Sequence, residues 1–519
     1  MSGEFGKTVQ DYTGTIPRLL DRAAQRDPDG VWLRSDELTL TFGQAAGRVA
    51  GLATELGEAG IGHGDLVLLT ARTTPDHLLS WLALAALGAI TVPVNPASTP
   101  AELAGLISQV QPRAVLTEPG IYPGADAVGS GDAGVRAVID VKGLGARQTG
   151  PPLADLPDAE VRPEDLAVLI PTSGTTGRSK LVMQTHRAYA MAAEGFPFWM
   201  ELSASDRLMT SLPLFHINAP IYSVLGSLAC GAGLVLAPRF SASGFLDTAR
   251  KHGATEFNAI GAMLEILMRQ PERPDDADNP LRLCYAGPAP ERTRQEEIER
   301  RFGFRIVVGY ALSESPYGLI WPRGARPFGT LGAVRQHPDL GTINEAKIVA
   351  PDNAELGAGQ TGELLLRNPV LTPGYWGMPE ESAAALTDGW LRTGDLVTAN
   401  EDGTYTFVGR SKEVLRRRGE NLSPLEVEEV LDSHPAVLES AVVGVASELT
   451  EEEIKAFVVA APGAEVDFGE LREYAAGRLS AFKVPRFWQL IDELPRTPTS
   501  RIAKHRLPAG HQPGEYETP

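Results

Sequence analysis

The stretch LIPTSGTTGRSKLVMQTH, residues 169–186, opens as an apolar strand ending at Ile170 and Pro171. It then becomes Thr172, Ser173, Gly174, Thr175, Thr176, Gly177, Arg178, Ser179 and Lys180. Glycines leave backbone amides accessible, hydroxyls donate, and two cations neutralise. These are the ingredients of a phosphate cradle. The spacing is not that of a Walker loop, because two residues separate Gly174 from Gly177 and no Gly-Lys-Ser/Thr follows. The bland reading, a plain polar loop, leaves the ordered run of nine small, hydroxylic or basic residues unexplained.

Working outward, strand-like and helix-like runs alternate. Upstream, DLVLLTA, AITVPVN and RAVLTE are separated by the helical patterns PDHLLSWLALAALG and TPAELAGLISQVQ, the rhythm of βαβ units around a parallel sheet. The same rhythm returns at residues 207–212, 234–237, 254–259 and 305–308. One large α/β region to roughly residue 400 follows. Within it, from about residue 363 to 407, GELLLRN, GWLRTGDL and GTYTFVG are extended runs between Gly, Asp and Asn turns, read as a β-meander or barrel. Beyond them LSPLEVEEVLDSHP offers Ser423 as a helix N-cap and Pro424 in the first turn. The runs ESAVVGVA, IKAFVVAAP, FGELREYAAGRL and RFWQLID complete a small α+β unit. The expected division is 1–411 and 412–519, with the boundary near Ser411 and Lys412. Residues 120–157 read as surface excursions around one strand, VRAVIDV.

Composition narrows the partners. At 519 residues the chain exceeds one ordinary core, and 43% hydrophobic with 22% charged residues is the balance of a soluble globular protein. A net charge of −19, with no long Lys/Arg run, argues against nucleic acid. Two cysteines, Cys230 and Cys284, suggest neither a disulfide framework nor a thiolate metal site, and point to a reducing cytoplasm. No secretory signal or membrane-spanning run is evident, so membrane insertion is not expected. Gly129, Gly131 and Gly134 satisfy GxGxxG, but a strand follows them instead of a helix, and no serine has GxSxG context. Oligomeric state is left open.

The loop at 172–180 resembles the signature of the adenylate-forming superfamily, which includes acyl- and aryl-CoA synthetases. Further motifs stand in that superfamily's order: SLPLFHINA at 211–219, YAGPAPE at 285–291, GYALSES at 309–315, TGE at 361–363, WLRTGD at 390–395, GRSKEVLRRRGENLSPLEVE at 409–428 and PRTPTSRIAK at 495–504. The run at 409–428 is most similar to carnitine and crotonobetaine CoA ligases. The resemblance implies a large nucleotide-binding region and a small mobile C-terminal domain.

It also implies roles. Glu314, with Thr175, would hold Mg²⁺ against the ATP phosphates. Asp395 would accept the ribose hydroxyls, with Arg410 opposite. Tyr310 would pack on adenine, and Ala286, Gly287 and Pro288 would form the backbone wall beside it. Ala311, Ser313 and Phe407 join the nucleotide set. His216 is placed as a gate between acid and thiol; without the resemblance a lone His here reads as structural. Asn218, Gly261, Tyr285 and Pro316 are acid-pocket candidates.

The small domain would pivot at Lys412. It would present the 495–504 loop for adenylation, and Arg418, Gly419, Glu420 and Asn421 for transfer to coenzyme A. The run Arg416, Arg417, Arg418 meets coenzyme A phosphates or is a solvated face. The departure is Arg501, where relatives carry a lysine after glycine; Arg keeps the charge and loses the compact ammonium. The implied activity is adenylation of a small acid by ATP with pyrophosphate release, then thioester formation with coenzyme A. The alternatives are a non-CoA acceptor such as a carrier protein or amine, an unusual acid such as nitrite, and a nucleotide binder that has lost catalysis.

Overall fold

Two threonines show why the βαβ rhythm holds. Thr74 and Thr99 lie in extended backbone just before Pro75 and Pro100, where a proline forfeits no helical hydrogen bond. Each hydroxyl accepts a first-turn amide, from His77 at 3.3 Å and from Glu102 at 3.3 Å. In the first of the two helices, Pro75–Ala86, every residue but Asp76 is buried, so it is apolar all round and lies inside the molecule.

The structure, a computed structural model, describes residues 9–121, 135–142, 144, 150, 152–156, 160–172, 179–287, 290–410, 415–417, 420–446, 452–479, 481–496, 502–508 and 510–518. Its first sheet has six strands in the order Ala137–Asp140, Ala114–Thr117, Leu66–Thr70, Ile90–Pro93, Leu166–Thr172, Lys180–Thr185. All pairs are parallel except the last. Strand Lys180–Thr185 returns directly from Leu166–Thr172, and a short connection between neighbours forces antiparallel pairing. The glycine-rich loop therefore joins two adjacent strands, and helix His186–Met200 comes after the second.

The second sheet has nine strands. Its parallel interior consists of Val31–Arg34, Gly233–Leu236, Arg207–Thr210, Glu256–Ala259, Leu283–Ala286 and Arg305–Leu312. Antiparallel strands close both edges, Thr39–Thr41 at one and Ser315–Ile320 with Ala333–Val334 at the other. Helix His186–Met200 touches strands of both sheets, and Tyr189, Met191, Ala192, Ala193 and Phe196 are buried with it in a continuous core.

The meander expected at residues 363–407 is an antiparallel sheet of six strands, including Glu345–Val349, Thr361–Arg367, Trp390–Ala399 and Tyr405–Arg410. The C-terminal unit has hairpin Leu415–Arg417 with Glu420–Leu422, helix Pro424–Asp432 and a four-stranded sheet. Its own core contains Val427, Leu431, Val442, Leu471 and Trp488. Ser423 occupies the N-cap position as expected but makes no capping hydrogen bond. Its hydroxyl lies against Gly409, where an added Cβ would meet it at 2.6 Å. Among the described residues, no helix is long and apolar enough to cross a membrane.

Candidate active site

The site grows from the hairpin of strands Arg305–Leu312 and Ser315–Ile320. Ser313 and Glu314 form its tip, and the register shifts at Ala311, between the pairs Tyr310–Leu319 and Leu312–Ser315. Such a bulge re-aims the side chains beside it. The tip is held from outside: Gln184 Nε2 donates to the Ser313 carbonyl at 2.6 Å, and the Thr372 amide donates to the Glu314 carbonyl at 2.7 Å. The Tyr375 hydroxyl donates to Glu314 Oε1 at 2.9 Å, and Lys180 Nζ stands 4.5 Å from the Tyr375 ring centre. The segment carrying Tyr375 runs along strand Lys180–Thr185, with Met183 N donating to Gly374 O at 3.0 Å and Trp376 N to Leu181 O at 2.9 Å. One tyrosine therefore links the lysine ending the glycine-rich loop to the carboxylate expected to hold the metal. Nothing in the sequence marks Tyr375, where Gly374 and Trp376 around it signal only a turn.

Asp395 is 1% exposed; the Tyr310 hydroxyl donates to its Oδ2 at 2.5 Å, and Arg410 Nε forms an ion pair with Oδ1 at 2.8 Å. Burial, and then the adjacent Asp395 charge, push the Tyr310 phenol well above its ordinary range, so it remains a proton donor. The Thr-Gly turn before Asp395 needs Gly394, whose φ is +72°. Glu363 of the TGE motif accepts the Gly394 amide at 3.1 Å and pairs with Arg392. Phe407 packs with Tyr310 in one small cluster. Ala286 is buried, and Gly287 passes so close to the next strand that an added Cβ would meet the Gly309 carbonyl at 2.5 Å.

The acid-pocket candidates are brought together by three residues the sequence reading missed. Asn258 Nδ2 donates to Asn218 Oδ1 at 2.6 Å and pairs in register with Tyr285. Gly261 begins the helix Gly261–Met268 just beyond Asn258. The Tyr222 hydroxyl donates to the Pro316 carbonyl at 2.7 Å, and Arg335 donates to Tyr222, Tyr285, Pro316 and Tyr310. His216 is half-buried with its ring centre 4.6 Å from that of Phe215, in the turn leading to Asn218.

At the base of the loop, Thr172 pairs with Lys180, and its hydroxyl donates to the Lys180 carbonyl at 3.3 Å. The candidates Ser173, Gly174, Thr175, Thr176, Gly177, Pro288, Lys412, Arg418, Gly419, Arg501 and the Glu420 side chain lie outside the described residues. Of the arginine run, Arg417 is 5% exposed, pairs with Glu453 at 2.6 Å and donates to the Val484 carbonyl at 2.9 Å. It anchors its hairpin and is neither a solvated cation nor open to a coenzyme, because burial demands an internal counter-charge. Lys504 pairs with Glu428 at 2.7 Å.

A buried carboxylate beside a phenol and a guanidinium, on a chain whose hydroxyl- and glycine-rich run joins two strands of an α/β sheet, fits a nucleotide-binding enzyme of adenylate-forming type. The profile described as "AMP-binding enzyme" matches residues 20–376, and that of the "AMP-binding enzyme C-terminal domain" matches residues 426–501. The chain belongs to the AMP-binding enzyme family.

It is 31% identical over 529 residues to a sulfoacetate–CoA ligase of Cupriavidus necator, covering 96% of this chain and 99% of that one. It is 31% identical over 469 residues to a crotonobetaine/carnitine–CoA ligase of Salmonella typhimurium, covering 86% and 89%. The crystal structure of the anthranilate CoA ligase AuaEII in complex with anthranoyl-AMP has the same fold, with a TM-score of 0.86 at 24% identity over 96% of this chain and 98% of that one.

Proposed function

We propose that this protein is an AMP-forming acid–CoA ligase. It joins a carboxylic acid to the α-phosphate of ATP, releasing pyrophosphate, and then passes the acyl group to coenzyme A, releasing AMP. The observation that carries this reading is the Tyr310–Asp395–Arg410 constellation. The strand ends that flank the glycine-rich run, Thr172 and Lys180, pair with each other, and Lys180 is linked through Tyr375 to Glu314.

In this reading Asp395 accepts the ribose hydroxyls, Tyr310 and Phe407 flank the adenine, and Ala286 and Gly287 supply the wall beside it. The loop residues hold the β- and γ-phosphates, which leave as pyrophosphate. Glu314 suits Mg²⁺, an ion that takes one or two carboxylates together with substrate phosphates. When bound, Mg²⁺ would neutralise phosphate charge. Tyr375 orients the Glu314 carboxylate, and Lys180 adds a cation at the loop's end. Arg501 stabilises the charge that develops as the acid oxygen attacks phosphorus. His216 separates the acid pocket from the thiol's approach.

The domain boundary is placed at residues 411 and 412, with Lys412 as the pivot that exchanges the 495–504 loop for Arg418, Gly419 and Glu420 between half-reactions. Two free cysteines support a cytoplasmic setting. The test is product analysis with a panel of acids, with and without coenzyme A. AMP and pyrophosphate should appear, with a thioester only when coenzyme A is present; release of ADP and phosphate would rule the assignment out.

A further inference from the structure

A concavity of about 520 Å³ lies on the antiparallel six-stranded sheet, with Lys347, Arg367, Trp390, Tyr405, Thr342 and Glu355 among its lining residues. No residue of the candidate active site lines it. Trp390 opens the strand Trp390–Ala399 that also carries Asp395, and the five residues between them span up to about 17 Å of extended chain. The volume falls in the range of small-ligand sites, about 300 to 1,000 Å³.

The polar groups around it divide into those used by the fold and those left over. Gln336 Oε1 accepts the Ile343 and Asn344 amides at 2.9 and 3.2 Å, and its Nε2 donates to the Asn344 carbonyl at 2.9 Å. Asn344 Nδ2 donates to the Tyr317 and Gly318 carbonyls at 3.2 and 3.0 Å. Arg367 gives Nε and Nη2 to Glu345 at 2.9 and 2.6 Å, which occupies both oxygens of that carboxylate. What remains is a set of donors. Lys347, with a side chain only 27% exposed, makes no hydrogen bond among the described residues; the carboxylate paired with it, Glu355, stands off at 3.5 Å and is 67% exposed. The Trp390 indole N–H and the Thr342 hydroxyl also have no hydrogen-bond partner among the described residues.

The frame holding these donors is rigid. Lys347 Nζ and Arg367 Cζ each lie 4.5 Å from the Trp390 ring centre, so the indole is held by two cations. Val334, Ala346 and the Tyr405 ring pack into the sheet's own small core and give the concavity an apolar wall. A half-buried ammonium with unmet donors is costly, and a surplus of N–H and O–H groups over free acceptors selects an oxyanion. The chain as a whole carries a net charge of −19, so this donor-rich spot is not part of a general positive surface.

We infer that the concavity is a second ligand site, for a small organic anion. Its carboxylate or phosphate head sits on Lys347, with Trp390 and Thr342 as further donors, and its apolar body lies against Val334, Ala346 and Tyr405. Glu355 is the group that the incoming head displaces. The inference stands apart from the acid–CoA ligase reading, which concerns other residues.

Titration calorimetry on the full chain, in phosphate-free buffer without nucleotide, tests it with benzoate, phenyl phosphate, benzyl alcohol and inorganic phosphate. Benzoate or phenyl phosphate should bind, and the tighter of the two identifies the head. Lys347→Ala should weaken that binding at least about tenfold, the cost of losing a charge-assisted hydrogen bond, while Lys347→Arg, which keeps the charge, should retain most of it. Glu355→Gln removes the competing carboxylate and should tighten binding about two- to fivefold. Thermal unfolding checks each variant, and if Lys347→Ala does not fold, Glu355→Gln decides alone, an unchanged affinity counting against the site. Binding that Lys347→Ala leaves intact belongs elsewhere and overturns the inference, as does binding of neither organic anion. Benzyl alcohol or inorganic phosphate binding as tightly as the organic anions overturns the assigned ligand class.

Discussion

At the scale of single residues, Arg501 is the cation assigned to the adenylation step, and Lys504, three positions on, already faces Glu428 at 2.7 Å. Arg501→Ala should lower adenylation by about 10²- to 10³-fold, the usual cost of removing a donor aimed at developing charge. Thioester formation from a supplied acyl-adenylate should survive, and Arg501→Lys should stay active; adenylation by Arg501→Ala at the parent rate would move the role elsewhere. Asp432 makes a different prediction. Burial first, then the Glu428 and Glu439 charges, push its carboxyl up to about 7, against a hydrogen bond from Ser440 at 2.7 Å. The folded state therefore keeps a proton that the unfolded chain releases near pH 4. Stability therefore falls as pH rises from about 4 to about 7 and is flat above that window, with a slope kept shallow by the solvent that reaches the exposed Asp432 side chain. Asp432→Asn, which can still accept from Ser440, should flatten this slope and gain most over the parent above pH 7, as read from denaturant unfolding at several pH values.

At the scale of elements, the Ser313–Glu314 tip and the Thr372–Trp376 segment act as one fitting, since Thr372 holds the tip's backbone and Tyr375 its carboxylate. Tyr375→Phe keeps the ring beneath Lys180 and deletes only the hydroxyl. It should weaken the Mg²⁺ dependence of pyrophosphate release by about 10- to 100-fold, the usual effect of losing a partner behind a metal ligand. An unchanged Mg²⁺ titration would make the hydroxyl a packing detail. The strands and helices near these parts were largely readable, because Thr-Pro starts, β-branched runs and Gly turns are local signals. Glu314 and Asp395 are candidates that the motifs around them single out, and the structure gives each a polar partner. Tyr375, Asn258, Tyr222 and Arg335 are not singled out in this way. Each acquires its role from a partner far along the chain: Tyr222 meets Pro316 across 94 positions, and Arg335 meets Tyr222 across 113. Neither periodicity nor turn chemistry reports such contacts. The antiparallel edge strands were missed for a related reason, since pairing direction depends on which neighbour a strand returns to.

At the scale of the molecule, the proposed two half-reactions at one carbonyl carbon call for two arrangements of the small domain, with Lys412 as the proposed pivot. Lys412→Pro, by fixing φ, should depress thioester formation far more than adenylation when each is assayed separately; equal losses would count against the pivot. In the described arrangement one contact between the units is Arg269 Nη2 donating to the Leu438 carbonyl at 3.3 Å, an exposed hydrogen bond of modest worth. Val427, Leu431, Val442, Leu471 and Trp488, by contrast, bury one another wholly within the C-terminal unit. A scanning calorimeter should therefore record two endotherms, not one. A protease cut in the link should release a fragment that refolds unaided, making the small unit a portable module that could be exchanged between relatives without repacking the larger one.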